Sequence, residues 1–186
     1  PSLLRDFSAP VIVDYAYGDR ELAFLAAHDG DPFNRWEAAQ RLAVGAVLRT
    51  IDGEDPQRAA ATLVDAFART LRDDALDPAF RELVLTLPGE GVISEHLATV
   101  DPARLREARN GLRATLAGTL VADWRASFER HADPGPWQPD RASAARRALK
   151  NLALGYWVQA GDAAAREAAV RQFEATDNMT DRQAAQ

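Results

Sequence analysis

The chain has 186 residues, of which 47% are hydrophobic, with a net charge of −6 and no cysteine. That composition is globular and long enough to bury a substantial core, which excludes a disordered chain. The acidic balance argues against a general nucleic-acid binder, and the absence of cysteine excludes disulfides, zinc–thiolate sites and cysteine nucleophiles.

Residues 1–17 open with "PSLLRDFSAPVIVDYAY", in which Val11, Val13, Tyr15 and Tyr17 alternate with smaller or more polar residues. A two-residue rhythm is that of a strand, and a strand needs partners for its backbone. Almost everything after Gly18 has helical spacing, so the strand is expected to be an orphan. Asp19 is the expected cap of a short helix that stops at Gly30. In "DPFNRWEAAQRLAVGAVLRT", Asn34 and Glu37 have capping-box spacing. Trp36, Ala39, Leu42, Ala43, Ala46, Val47 and Ile51 should then face the core.

Pro56 starts a third helix with Ala60, Leu63, Val64, Phe67 and Leu71 inward. Asp77 and Pro78 announce a shorter one that Pro88 ends, and "EGVISEHLATV" holds one or two turns more. From Asp101 to Asp133 the spacing predicts a single helix of about 30 residues, roughly 45 Å long. Its stripe is Leu105, Ala108, Leu112, Leu116, Leu120, Trp124 and Phe128, with Gly111 inside it either for close packing or exposed at a cost of up to about 1 kcal/mol relative to alanine. A proline-rich loop, "ADPGPWQPD", leads to a helix over about 140–160 with Ala145, Leu149, Leu152, Tyr156 and Ala160 inward, broken by Gly161. A helix over about 162–175 follows, with Val170 and Phe173 as its main apolar contacts. Thr180 and Gln183 announce another, one turn before the chain stops. Asp-Pro recurs at 31, 55, 77, 101 and 133, which reads as one capping chemistry used repeatedly. The expected fold is mainly α: an irregular solenoid or bundle of antiparallel helix pairs, armadillo- or HEAT-like, preceded by one orphan β-strand.

Chemistry is hard to find in these residues. His28, His96 and His131 form no close pair and no H-E-x-x-H. His28 and His131 lie near helix C-termini, where a cationic imidazole is favoured. Glu82, Glu107 and Glu129 sit near arginines at helical spacing, as in Arg104–Glu107 and Arg125–Glu129, and read as solvated ion pairs. Ser94, Ser127 and Ser143 carry no local sign of activation, and no nucleophile elbow, phosphate loop or dinucleotide fingerprint is present. The most basic stretch, Arg141, Arg146, Arg147 and Lys150, reads as one hydrated helix face rather than as an anion or partner site. Lys150 is the only lysine beside 21 arginines, a ratio that fits codon bias. Trp36, Trp124 and Trp157 read as packing residues. Trp137, between prolines, either anchors its loop on the core or meets a neighbouring domain. No catalytic residue and no metal ligand is predicted, and no substrate-binding residue can be named.

Four stretches, "PSLLRDFSAPV", "DPFNRWEAAQ", "DPARLREAR" with "ALKNLALGYW", and "QFEATDNMTD", resemble bacterial aminopeptidase N, in order and over essentially the whole chain. The resemblance places residues 1–17 as the terminal strand and linker of a β-sandwich domain. It places residues 18–186 as the N-terminal part of a helical cap domain, truncated at its C-terminus. It implies a parent zinc exopeptidase, located in the bacterial cytoplasm, that removes N-terminal residues from peptides. That family's zinc site is H-E-x-x-H with a downstream glutamate, its substrate amine sits on G-A-M-E-N, and none of these motifs occurs here. The segment is therefore expected to hold no zinc and no catalytic group. Its partners would be the catalytic and sandwich domains of its own parent chain and the parent's peptide substrates, with no nucleic acid and no membrane. A truncated solenoid should also expose apolar surface and self-associate. The alternative from another class is a stand-alone helical-repeat interaction module.

Overall fold

A computed structural model of the chain describes residues 1–5, 11, 15–132, 135 and 137–186. Among them are ten helices and no sheet. These are α1 (Asp19–His28), α2 (Pro32–Ile51), α3 (Pro56–Arg72), α4 (Pro78–Leu85), α5 (Glu90–Ser94), α6 (Pro102–Thr119), α7 (Val121–Arg130), α8 (Arg141–Gln159), α9 (Ala163–Ala175) and α10 (Met179–Ala184). The chain divides into two compact units, Pro1–Thr70 with Leu87–Leu112 and Leu71–Thr86 with Arg113–Gln186.

The Asp-Pro rule is observed wherever its residues are described. Asp31 accepts from the N–H groups of Phe33 and Asn34, Asp55 from Arg58, Asp77 from Ala79, and Asp101 from Ala103. In each case proline occupies the first helical position, where no donor is needed. Asp133 lies outside the described residues.

In the first unit, α1 packs on α2, and α2 also meets α5. The core is Leu22, Ala39, Leu42, Val47, Leu63 and Phe67, close to the expected stripes, whereas Trp36, Ile51 and Val64 are only half-buried. Two caps differ from expectation. Gly18, not Asp19, is the N-cap of α1, and the Glu21 carboxylate accepts from the Gly18 N–H at 3.1 Å. Asn34 does not cap α2 because Asp31 does so. The Asn34 amide instead donates to Ser2 Oγ at 3.0 Å and to the Leu3 carbonyl at 3.1 Å. Nor does Gly30 end α1 by a left-handed turn. The helix stops at the extended residue Asp29, whose buried carboxylate accepts from Arg5 at 2.8 Å and from the Asp31 N–H at 2.9 Å. Both anchors hold residues 2–5 on this unit, around a Leu4 with φ of 53°, a backbone region that costs a leucine energy.

Of the strand expected within residues 1–17, residues 6–10 and 12–14, Val13 among them, lie outside the described residues. Its described remainder forms no ladder: the Tyr15 hydroxyl donates to Glu21 at 3.1 Å and the Tyr17 hydroxyl to the Pro1 carbonyl at 2.9 Å.

In the second unit α8 packs against α4, α7, α9 and α10. It buries residues on several faces, among them Ala145, Leu149, Ala153, Leu154, Tyr156 and Trp157, while Leu152 and Ala160 are only half-buried. Trp124 is fully buried and stacks on Tyr156, with ring centroids 4.1 Å apart and planes 3° apart. The Arg113 guanidinium covers the Tyr156 ring at 4.9 Å. A Cβ on Gly155 would come within 3.2 Å of that guanidinium, so this glycine makes room for the stack. Gly111, expected to permit close packing or to be exposed, has open space around it.

The expected 30-residue helix is two helices. At Leu120 the backbone leaves the helical region (φ −108°, ψ 23°), and the Trp124 indole donates to the Leu116 carbonyl at 3.1 Å. That carbonyl also accepts from the Leu120 N–H at 3.2 Å. A side chain competing for a ladder acceptor is a recognised cause of a helix break. At the end of α8, Gly161 has φ of 81° and stops the helix as expected.

Candidate functional site

Three helices of the second unit converge on one polar cluster. Asn178, not Thr180, is the N-cap of α10, and its side chain accepts from the Asp181 N–H at 2.9 Å. This turn delivers the Asp181 carboxylate to α8, where Lys150 Nζ donates to it at 2.7 Å and Asn151 at 2.8 Å. Gln172 of α9 donates to the Asn151 side chain and to the Asp181 carbonyl, each at 2.9 Å. Burial pushes the Asp181 carboxyl up, but the hydrogen bonds from Lys150 and Asn151 outweigh it and hold it below its ordinary value. The ion pair is buried on both sides.

Beside this cluster lies a cleft of about 440 Å³, whose walls include Phe128 of α7, Trp137 of the preceding loop, Arg147 and Lys150 of α8, and Arg171 of α9. Trp137 lies 5.7 Å from the Arg147 guanidinium, and its N–H donates to Asp177 at 3.3 Å. Arg147 Nη1 donates to the Gln138 carbonyl at 3.2 Å. Trp137 thus ties its loop to α8 and to the residues before α10. The basic stretch is not one hydrated face: Arg141 is exposed, Arg146 donates to Ser143 Oγ at 2.9 Å, and Arg147 and Lys150 are buried. Periodicity could not show this, because α8 is covered on several sides.

A second group in this unit surrounds His131. Arg81, 2% exposed, reaches the carbonyl of Leu71 and the carboxylate of Asp74, which Arg130 also meets. The His131 Nδ1 lies 2.7 Å from the Ser127 carbonyl, so that nitrogen carries the proton. Burial is the main cause that lowers the His131 pKa, and Arg81 and Arg130 lower it further. The cationic imidazole expected at this helix end is therefore disfavoured: desolvation outweighs the hydrogen bond to the Ser127 carbonyl, which favours the cation.

The remaining residues considered for chemistry do not converge. His28 lies exposed against Phe24, with ring centroids 4.9 Å apart, and His96 is exposed on the first unit. Ser94 donates to the Gly91 carbonyl at 2.7 Å, while Ser127 Oγ is buried without a hydrogen-bond partner among the described residues. Arg125 and Glu129 form the expected exposed pair at 2.8 Å, whereas Arg104 instead meets the Ile51 carbonyl. Among the described residues no group of three or more His, Asp and Glu is placed to hold a metal ion. These described residues therefore do not fit a zinc centre. Among them, too, no helix is long and apolar enough to cross a membrane.

Residues 19–186 match the family described as "Domain of unknown function (DUF3458_C) ARM repeats". The chain is 33% identical to aminopeptidase N of Escherichia coli over 100% of its own length and 22% of the relative's. It is 38% identical to aminopeptidase N of Caulobacter vibrioides over 81% of this chain and 17% of that one. A crystal structure of Legionella pneumophila aminopeptidase A in complex with aspartic acid matches with a TM-score of 0.83 and 27% identity, over 99% of this chain and 22% of that chain. The chain thus spans about a fifth of the length of the relatives it matches. Its helices, its Asp-Pro caps and this agreement along its whole length lead to one conclusion: the chain belongs to the DUF3458_C ARM-repeat family, the C-terminal helical domain of aminopeptidase N-type enzymes.

Proposed function

We propose that this chain is a non-catalytic helical segment of a zinc-dependent aminopeptidase that removes N-terminal residues from peptides. Residues 1–17 are its terminal strand and linker from a β-sandwich domain, and residues 18–186 the N-terminal part of its helical cap. The segment packs on the catalytic domain of the parent chain and helps enclose the active-site chamber in the bacterial cytoplasm. One observation carries this reading: identity to aminopeptidase N runs along the whole chain, yet over only about a fifth of those enzymes, and the H-E-x-x-H motif is absent from this stretch. Zinc in this reading belongs to the parent's catalytic domain. The test is a metal analysis and a turnover assay with aminoacyl arylamides on the purified chain, beside the parent enzyme. We expect neither stoichiometric zinc nor hydrolysis from the chain; zinc-dependent turnover would overturn the reading.

Exposed apolar side chains of α9 and α10 fit this reading of a helical cap cut from its parent chain, and they fit as well the alternative, a stand-alone helical-repeat interaction module. Val170, Phe173 and Met179 are 56%, 40% and 73% exposed. Such surface favours self-association of the chain. Concentration-dependent sedimentation is the expected outcome, and a monomer at all concentrations contradicts it.

A further inference from the structure

The second unit buries three cationic side chains, and two of them have carboxylate partners: Arg81 has Asp74 and Lys150 has Asp181. Arg147 differs. It is only 8% exposed and lines the cleft. Its partners among the described residues are one neutral carbonyl, that of Gln138 at 3.2 Å, and the face of Trp137. No carboxylate among them lies within ion-pair range of it. A guanidinium carries five N–H donors in a planar fork, and burying its charge without an anion is costly. The walls beside it add apolar surface from Phe128, Ala168 and Ala175, and the amides of Gln172 and Asn178. A volume of about 440 Å³ suits a small organic molecule.

We propose that this cleft binds a small monocarboxylate, with its anionic head on the Arg147 fork and its apolar body against Phe128. The planar fork matches a carboxylate with two parallel N–H···O bonds. Charge selects the monoanion: Asp177 and Asp181 also line the cleft and oppose a dianion such as phosphate more strongly. The Trp137 ring, 5.7 Å away, and the Gln138 carbonyl hold the guanidinium in place before the ligand arrives. The site stands apart from the peptidase reading, since it needs neither zinc nor a catalytic domain.

The test is a titration of the protein with phenylacetate at constant ionic strength, followed by the indole N–H resonance of Trp137. The neutral analogue 2-phenylethanol and inorganic phosphate serve as comparators. Saturable shifts with phenylacetate are expected, with binding at least tenfold weaker for both comparators. Arg147→Gln should weaken phenylacetate at least tenfold. Arg171→Gln, which removes a rim cation already paired with Glu167 at 3.6 Å, should change it less than threefold. Should Arg147→Gln fail to fold, the wild-type protein decides alone: the Trp137 and Arg147 N–H resonances must move together and that of Trp36 must not. An unsaturable response, equal binding of 2-phenylethanol or phosphate, or undiminished binding by a folded Arg147→Gln protein would each overturn the proposal.

Discussion

In the first unit the buried residues are apolar, mostly alanine, leucine and valine, and the polar ones among the described residues are only Asp29 and Thr70. In the second unit Arg81, Ser127, His131, Ser143, Arg147, Lys150, Gln172 and Asp181 are buried among the apolar side chains. An apolar core is held by area and fit, tolerates volume-conserving change and has little to titrate. A core threaded with polar groups depends on each donor meeting its acceptor, so the loss of one partner strands another. The two units should therefore respond to different perturbations.

The largest effect should come from Asp181→Ala, which leaves Lys150 charged and buried with no carboxylate. Removing one member of a buried pair costs about 3–5 kcal/mol. The double variant Lys150→Met with Asp181→Leu should recover part of that loss, because it removes the charge along with its partner. Urea denaturation of the two proteins measures both, and equal losses would show that the pair is not the source of the cost. In the first unit Leu42→Ala should cost about 2–5 kcal/mol through the cavity it leaves, with no dependence on pH between 5 and 8.

A smaller, pH-dependent effect should appear only in the second unit. The folded-state pKa of His131 lies below its ordinary value of about 6.5. The unfolded chain therefore takes up a proton that the folded one refuses. The stability from the neutral imidazole is complete above pH 6.5 and falls as the pH drops below it. His131→Gln should flatten this part of a plot of denaturation midpoint against pH; an unchanged slope would contradict the neutral assignment. The smallest effect distinguishes pattern from packing. Val170→Ser and Phe173→Ser should each change stability by less than about 0.5 kcal/mol in a monomeric sample, because both side chains are exposed. A cost of about 2 kcal/mol would restore them to the core.

Legibility followed the same division. The stripe of α6 and α7, from Leu105 to Trp124, was readable because its residues recur at helical period and each is buried within its own unit. The break at Leu120 was not, since it depends on an indole placed one turn away. On α9, Val170 and Phe173 looked like the core face by hydrophobicity alone, yet Ala165, Ala168 and Gln172 occupy it. Small residues let α9 approach α8 closely, and Gln172 is needed there to satisfy Asn151 and Asp181.

By itself the sequence determined that this protein is helical, where most helices begin and which family it resembles. Those features rest on interactions within a few residues: an aspartate before proline capping the next turn, or a glycine free to take positive φ at position 161. Only the tertiary structure decided that Asn34 holds the N-terminal residues, that Lys150 is buried against Asp181 and that Arg147 is buried beside a cleft with no carboxylate of the described residues in ion-pair range. Each of those outcomes depends on groups brought together from distant parts of the chain. There, desolvation and hydrogen-bond satisfaction outweigh local propensity, and no local pattern encodes them.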